Sequence, residues 1–203
     1  MKKVYISADY DENSGDRKIV EELNKWGSDN YHKTDFVDMA KVISGSVANY
    51  NNPDCRICDL KSEFNRQINA SSTVIFVIGD KTKNRAAGTK CERMHKKQDQ
   101  CICTPYKQNA NGSKFCKFSD TVPADPNGDV GYINSYSYLQ HEFEQAKKRN
   151  KKIIVVYNSL NKQNSWLPDY MSEYKDIAIP FWVYNNGTKA GNYQAIKKLL
   201  EYE

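Results

Sequence analysis

Short apolar runs and helical stripes alternate along most of this chain. KVYISA at 3–8 reads as a first strand, and Ile19, Val20, Leu23 and Trp26 then mark one face of a helix from Asp16 to Trp26. TDFVDMA at 34–40 fits a second strand, and Leu60, Phe64 and Ile68 form a helical stripe over 59–69. VIFVIG at 74–79 is a strand of unbroken apolarity, which predicts helices on both of its faces. Leu139, Phe143 and Ala146 follow the i, i+4, i+7 spacing of a core-facing helix over 138–149, and IIVVY at 153–157 is a fourth strand. A short helix is expected at Tyr170 to Tyr174, then a fifth strand from Ile179 to Tyr184. Asn186-Gly187 turns the chain into a last helix, Tyr193 to Tyr202, with Ile196, Leu199 and Leu200 apolar.

One residue breaks this pattern. Glu142 stands three residues after Leu139 and four before Ala146, inside the core-facing stripe, whereas Gln140, His141, Glu144, Gln145, Lys147, Lys148 and Arg149 fall outside its narrow arc. Ser137 and Gln140 are spaced as a capping box that starts this helix.

Strands alternating with helices predict an α/β domain with a parallel sheet. Five strands with crossover helices fit a doubly wound, flavodoxin-like three-layer sandwich with strand order 2-1-3-4-5. The pattern is lost over 86–136, which is polar, rich in Gly, Asn, Lys and Cys, and contains Pro105, Pro123 and Pro126. Unstructured loops of that length are uncommon inside compact domains, so the segment reads as an insertion into one domain spanning 1–203. Ligands of such folds bind at the carboxyl ends of the strands, near the point where strand order reverses. That edge should hold Ser7 to Tyr10, Asp38 and Met39, and Gly79 to Arg85. The helix carrying Glu142 starts at the same edge, so its carboxylate should face the crevice there.

Composition narrows the classes further. At 203 residues the chain suits one well-buried core. Its longest apolar runs are strand-length, well below the ~20 residues of a spanning helix. Val4 to Ala8, cut off by Asp9, is too short for the apolar core of a signal peptide, so the expected location is cytoplasmic, without a membrane partner. The net charge of +5 comes from 30 basic and 25 acidic residues dispersed along the chain. No basic stripe is interleaved with aromatics, and nucleic acid is not an expected partner.

With these elements in place, three segments resemble a known family. VYISADYDE resembles the first strand and following loop of TIR domains, VIFVIGDKTKNR their central strand and loop, and YLQHEFEQAKKRNKKIIVVY the helix and strand in which enzymatic TIR domains carry a catalytic glutamate. Together they resemble most the TIR-like proteins of bacterial Thoeris anti-phage systems, the ThsB family. The resemblance implies a TIR-like fold that takes NAD+ as substrate, cleaves the nicotinamide–ribosyl bond, and cyclises or releases the ADP-ribose. A cyclic product would act on a separate effector, and homo-oligomers are common to the type. By position Glu142 matches the family glutamate. Ser7, Asp9 and Tyr10 are candidates for the nicotinamide and ribose end, and Lys81, Lys83 and Arg85 for the diphosphate. Each of these five loop residues and Ser7 reads equally as a solvated loop or strand-end residue. The second reading is a non-catalytic TIR-like interaction module.

Receiver domains share the strand order, and Asp9, Asp11 and Asp80 could mimic their acidic site. No strand ends in the lysine that a receiver needs, however, and Glu142 would go unexplained. The insertion holds Cys91, Cys101, Cys103 and Cys116 beside His95, and Cys55 and Cys58 form a CxxC upstream. A structural Zn2+ on the four insertion cysteines would compensate for the missing apolar core, although their spacing matches no standard zinc knuckle or ribbon. Reduced or redox-labile thiols are the alternative.

Overall fold

The computed structural model of the chain describes residues 2–8, 15–28, 34–38, 57–84 and 137–201. Within them, three strands show a strict alternation of sides. In β1 (Lys2–Ser7), Val4 and Ile6 face one layer while Tyr5 faces the other. In β3 (Thr73–Ile78), Ile75 and Val77 are opposed to Val74, Phe76 and Ile78, and in β4 (Lys152–Tyr157), Ile154 and Val156 are opposed to Val155 and Tyr157. Both sets are apolar, so neither face can be left to water.

Helices cover each face. Ile19, Val20 and Leu23 of α1 (Asp16–Gly27) and Ile196 of the last helix, α4 (Tyr193–Leu199), close one side, and all four are buried. On the other side lie Phe64 and Ile68 of α2 (Ile57–Ala70) with Leu139, Phe143 and Ala146 of α3 (Tyr138–Lys148). Phe143 meets Phe76 of the central strand edge-to-face, with ring centroids 5.6 Å apart. Aromatic pairs of this geometry add about 0.5–1.5 kcal/mol beyond the area they bury. Among the described residues, no helix is long and apolar enough to cross a membrane.

The sheet is parallel. β1 lies between β2 (Thr34–Asp38) and β3, with Ile6 opposite Asp38 on one side and Ser7 opposite Phe76 on the other. β3 continues to β4 in register from Thr73–Lys152 to Ile78–Tyr157. Connection order therefore reverses between β1 and β3, and this mixed α/β arrangement is compatible with a flavodoxin-like fold.

The fifth strand is cut to two residues, which corrects its expected extent from Ile179 to Tyr184. Only Ile179–Pro180 (β5) pairs with β4, at Val156 and Tyr157. The link arrives beside the last two residues of β4, so the shared ladder ends almost as it begins. Residues 182–185 (β6) instead pair antiparallel with 188–191 (β7) in a separate hairpin. Asn186 at φ 49° and Gly187 at φ 79° form its two-residue turn. Two positive φ values in succession give the primed turn whose twist suits a hairpin, and Asn-Gly is its preferred sequence. The hairpin sits on α1 through aromatic contacts. Trp26 stacks on Phe181 at 5.6 Å, and a Cβ on Gly191 would stand 2.6 Å from the Trp26 ring.

At the carboxyl ends of β3 and β4 a partly buried polar chain ties the sheet to the start of α1. Asp16, 2% exposed, accepts from Asn158 Nδ2 at 2.7 Å, and Asn158 Oδ1 accepts from Trp182 Nε1 at 2.8 Å. The Asp16 carboxylate lies against Gly79, where a Cβ would come within 2.5 Å of Oδ1. Because that carboxylate is itself held by Asn158, it cannot swing away without cost. Gly79→Ala should therefore destabilise the fold by about 1–3 kcal/mol, the usual range for overpacking a filled site, read as a lower urea midpoint at unchanged slope.

Candidate active site

Helix α3 starts where the chain can satisfy its first turn. Ser137 is extended, at φ −61° and ψ 162°, and its hydroxyl accepts from the Gln140 N–H at 3.0 Å. From that cap the helix buries Leu139, His141, Glu142, Phe143, Gln145 and Ala146. At about 100° per residue this is roughly half of the wheel, wider than the narrow stripe of apolar positions alone. The extra width has a cause: α3 packs on the sheet and also on α2. His141, 1% exposed, donates from Nε2 to Asn65 Oδ1 of α2 at 2.9 Å. His141 and Gln145 are thus inside, contrary to the reading of Glu142 as the lone inward polar residue.

Glu142 is 2% exposed and reaches across to β1. The period of two along that strand sends Tyr5 and Ser7 to the α3 side, and each meets one oxygen of the carboxylate. Tyr5 donates its hydroxyl to Oε1 at 2.6 Å, and Ser7 donates to Oε2. Hydrogen bonds with a charged acceptor are roughly twice as strong as neutral ones, and buried carboxylates are tolerated only with such partners. Ser7 ends β1 at the point of strand-order reversal, which places the pair at the edge where doubly wound sheets bind ligands.

The segment after β4 supplies a further neighbour. Two short 3-10 turns, 164–166 and 169–174, bring Tyr170 onto Phe143 with ring centroids 5.6 Å apart. Burial drives the Tyr170 pKa well above the usual phenol range; the nearby Ser137 hydroxyl opposes this, and the Glu142 and Glu144 charges reinforce it. The short helix expected at Tyr170 to Tyr174 is the second of these turns, but nothing in the sequence announced that it brings Tyr170 onto Phe143, because 3-10 turns carry no sustained stripe. Tyr5 was detectable, since it shares a strand face with Ser7.

The remaining candidates fall into two groups. Lys81 is exposed in the turn after β3, and Lys83 forms an ion pair with Asp169 at 3.0 Å, so neither is placed against Glu142 by a described contact. Asp9, Tyr10 and Arg85 lie outside the described residues, as do Cys91, Cys101, Cys103 and Cys116. Among the described residues, no group of three or more His, Cys, Asp or Glu side chains could hold a metal ion.

The raised pKa of Tyr170 has a consequence for stability. Unfolded tyrosine ionises near pH 10, whereas folded Tyr170 keeps its proton to higher pH. Its contribution is complete below about pH 10 and is lost as pH rises from there through the folded value. Wild-type urea midpoints should fall between about pH 9 and about pH 11, and Tyr170→Phe should flatten part of that fall. Tyr157 and Tyr174, both also raised by burial, should contribute to the same fall.

No protein-family model matches the chain, and no curated protein matches it significantly.

Proposed function

We propose that this chain is a TIR-like NAD+ glycohydrolase or ADP-ribosyl cyclase, with a flavodoxin-like fold, whose Glu142 stabilises the reacting ribose. The observation that carries this reading is the buried Glu142 carboxylate, held by Tyr5 and Ser7 at the reversal point of a parallel sheet. The resemblance of the three segments to TIR domains, and to the Thoeris proteins among them, supports it and suggests a signalling role in anti-phage defence.

The chemistry suits a site with one carboxylate. In NAD+ the bond between ribose C1′ and the pyridinium nitrogen breaks with its electron pair passing to nitrogen, so nicotinamide leaves neutral. No general acid is required, unlike ordinary glycoside hydrolysis with its two carboxylates. The positive charge that develops on C1′ and the ring oxygen is stabilised by a fixed anion, more strongly where water is excluded. Water then captures C1′ and releases a proton, giving ADP-ribose, or a nucleophile within the same molecule captures it and gives a cyclic product.

A second reading has its own support. Both Glu142 oxygens already have donors, as expected of a buried carboxylate whose role is to join α3 to β1. In that case the protein is a non-catalytic TIR-like module that works by association.

Incubation of the purified protein with NAD+, with and without phage lysate as a source of trigger, separates the two. The enzyme reading expects free nicotinamide together with ADP-ribose or its cyclic isomer. Glu142→Gln should lower turnover by about 10²–10³-fold, the range for loss of one electrostatic contact to a transition state. Absence of turnover under every condition would falsify the enzyme reading. Turnover unchanged in Glu142→Gln would leave the activity standing and remove Glu142 from it.

A further inference from the structure

The two donors to Glu142 are not alike. Tyr5 stands within β1, opposite Val37 of β2 on one side and Val74 of β3 on the other, so its backbone is held from both edges. Its ring is fully buried in the layer that also holds Phe64, Ile68 and Phe143. A phenol O–H projects from a rigid ring, and close packing around that ring leaves it little freedom to turn. The donor is therefore set by the sheet rather than by α3, and it meets Oε1 at 2.6 Å. Ser7 is the last residue of the strand, and its hydroxyl rotates to suit whatever it meets. Glu142 reaches across on a long, rotatable side chain, and one hydrogen bond would leave its carboxylate free to pivot about the bonded oxygen. Donors on both oxygens fix its plane.

We infer that Tyr5 is a positioning residue for Glu142: its hydroxyl holds Oε1 at a point fixed by the sheet, and so sets the plane in which the carboxylate faces the reacting ribose. It acts through Glu142, from deeper in the strand than Ser7. The consequence for reaction rests on the proposed NAD+ cleavage, but the hold on Glu142 does not. An anion stabilises developing charge best when its geometry is fixed before the reaction begins. A misplacement of about 1 Å can cost about 10²-fold in rate. Parts of the substrate remote from ribose C1′ bind as before, so the loss should fall on kcat rather than on KM.

Tyr5→Phe removes the hydroxyl and retains the ring. In urea unfolding of the full chain it should raise the unfolding equilibrium constant about 10–100-fold, the effect of losing a hydrogen bond to a charged group. In the Glu142→Gln background the same change should raise it only about threefold, because an amide oxygen accepts a weaker bond, so the two substitutions are coupled. Tyr157→Phe is the control. Tyr157 is buried in the same apolar layer but donates to the neutral Asn164 Oδ1 at 3.1 Å, so its loss should show no coupling to Glu142→Gln and should leave kcat within about twofold. In the NAD+ assay, at a temperature where every variant is folded, Tyr5→Phe should lower kcat about 10–100-fold while KM stays within about threefold. Equal effects of Tyr5→Phe in the two backgrounds overturn the hold on Glu142. Coupling with an unchanged kcat, or a loss of kcat matched by Tyr157→Phe, overturns the positioning role. If wild type does not cleave NAD+, the proposed activity fails, and the coupling alone decides whether Tyr5 fixes Glu142.

Discussion

A carboxylate removed from water must be compensated at once, and Glu142 imposes that requirement on the elements around it. Left without donors, its burial would cost several kcal/mol or force it to take up a proton. Tyr5 and Ser7 supply two hydroxyls from the one strand that stands between β2 and β3. The bonds fix where α3 can lie along β1, over and above the apolar contact of Phe143 with Phe76. Apolar contact alone tolerates sliding by a fraction of a turn. A carboxylate that must meet two hydroxyls, two residues apart on a strand, does not.

A second buried carboxylate imposes a similar requirement on the opposite layer. Asp16 stands in the first turn of α1, where the helix dipole favours an anion, and it is held by Asn158 from the end of β4. Asn158 in turn holds Trp182, so the hairpin that replaces a long fifth strand is tied to the same junction. The two carboxylates thus sit near the carboxyl ends of the strands on opposite faces, one joining α3 to β1 and the other joining α1 to β3 and β4. They divide the labour differently. Asp16 lies against backbone at Gly79, leaving no room even for a methyl group, whereas Glu142 meets the side-chain hydroxyls of Tyr5 and Ser7, which can exchange partners.

The parts of this architecture legible in the sequence are those governed by a single period. The alternation in KVYISA and the unbroken VIFVIG located β1 and β3 within a residue, and the Ser137–Gln140 spacing located the cap of α3. Glu142 stood out because it interrupts a stripe, and the same rule concealed His141 and Gln145. A wheel drawn for one buried face cannot show that a helix is packed on two sides, which depends on Asn65 being brought alongside from 76 residues away. The fifth strand was misjudged for a related reason. Ile179 to Tyr184 has strand composition, but which partner it takes is decided by Asn186-Gly187, a hairpin turn read there only as a change of direction. The short helix expected at Tyr170 to Tyr174 is a 3-10 turn at Asp169–Tyr174, but the packing of Tyr170 on Phe143 was invisible because it follows no repeating pattern.

The arrangement around Glu142 bears on how a sugar could enter. Ser7 is the last residue of β1 and Tyr5 lies two residues deeper, so the Oε2 side of the carboxylate is nearer the edge of the sheet. A ribose hydroxyl that takes the place of Ser7 substitutes one O–H donor for another, and the carboxylate is never left bare. Such an exchange avoids most of the penalty of stripping a buried anion of its partners, which commonly amounts to about 1–3 kcal/mol or more. Tyr5 meanwhile keeps Oε1 in place while the other oxygen changes partner. On the proposed reading the two hydroxyls therefore differ in kind: Tyr5 is a fixed support, and Ser7 is a placeholder for substrate. On that same reading, the asymmetry between depth and edge is what would let one carboxylate be both structural and reactive.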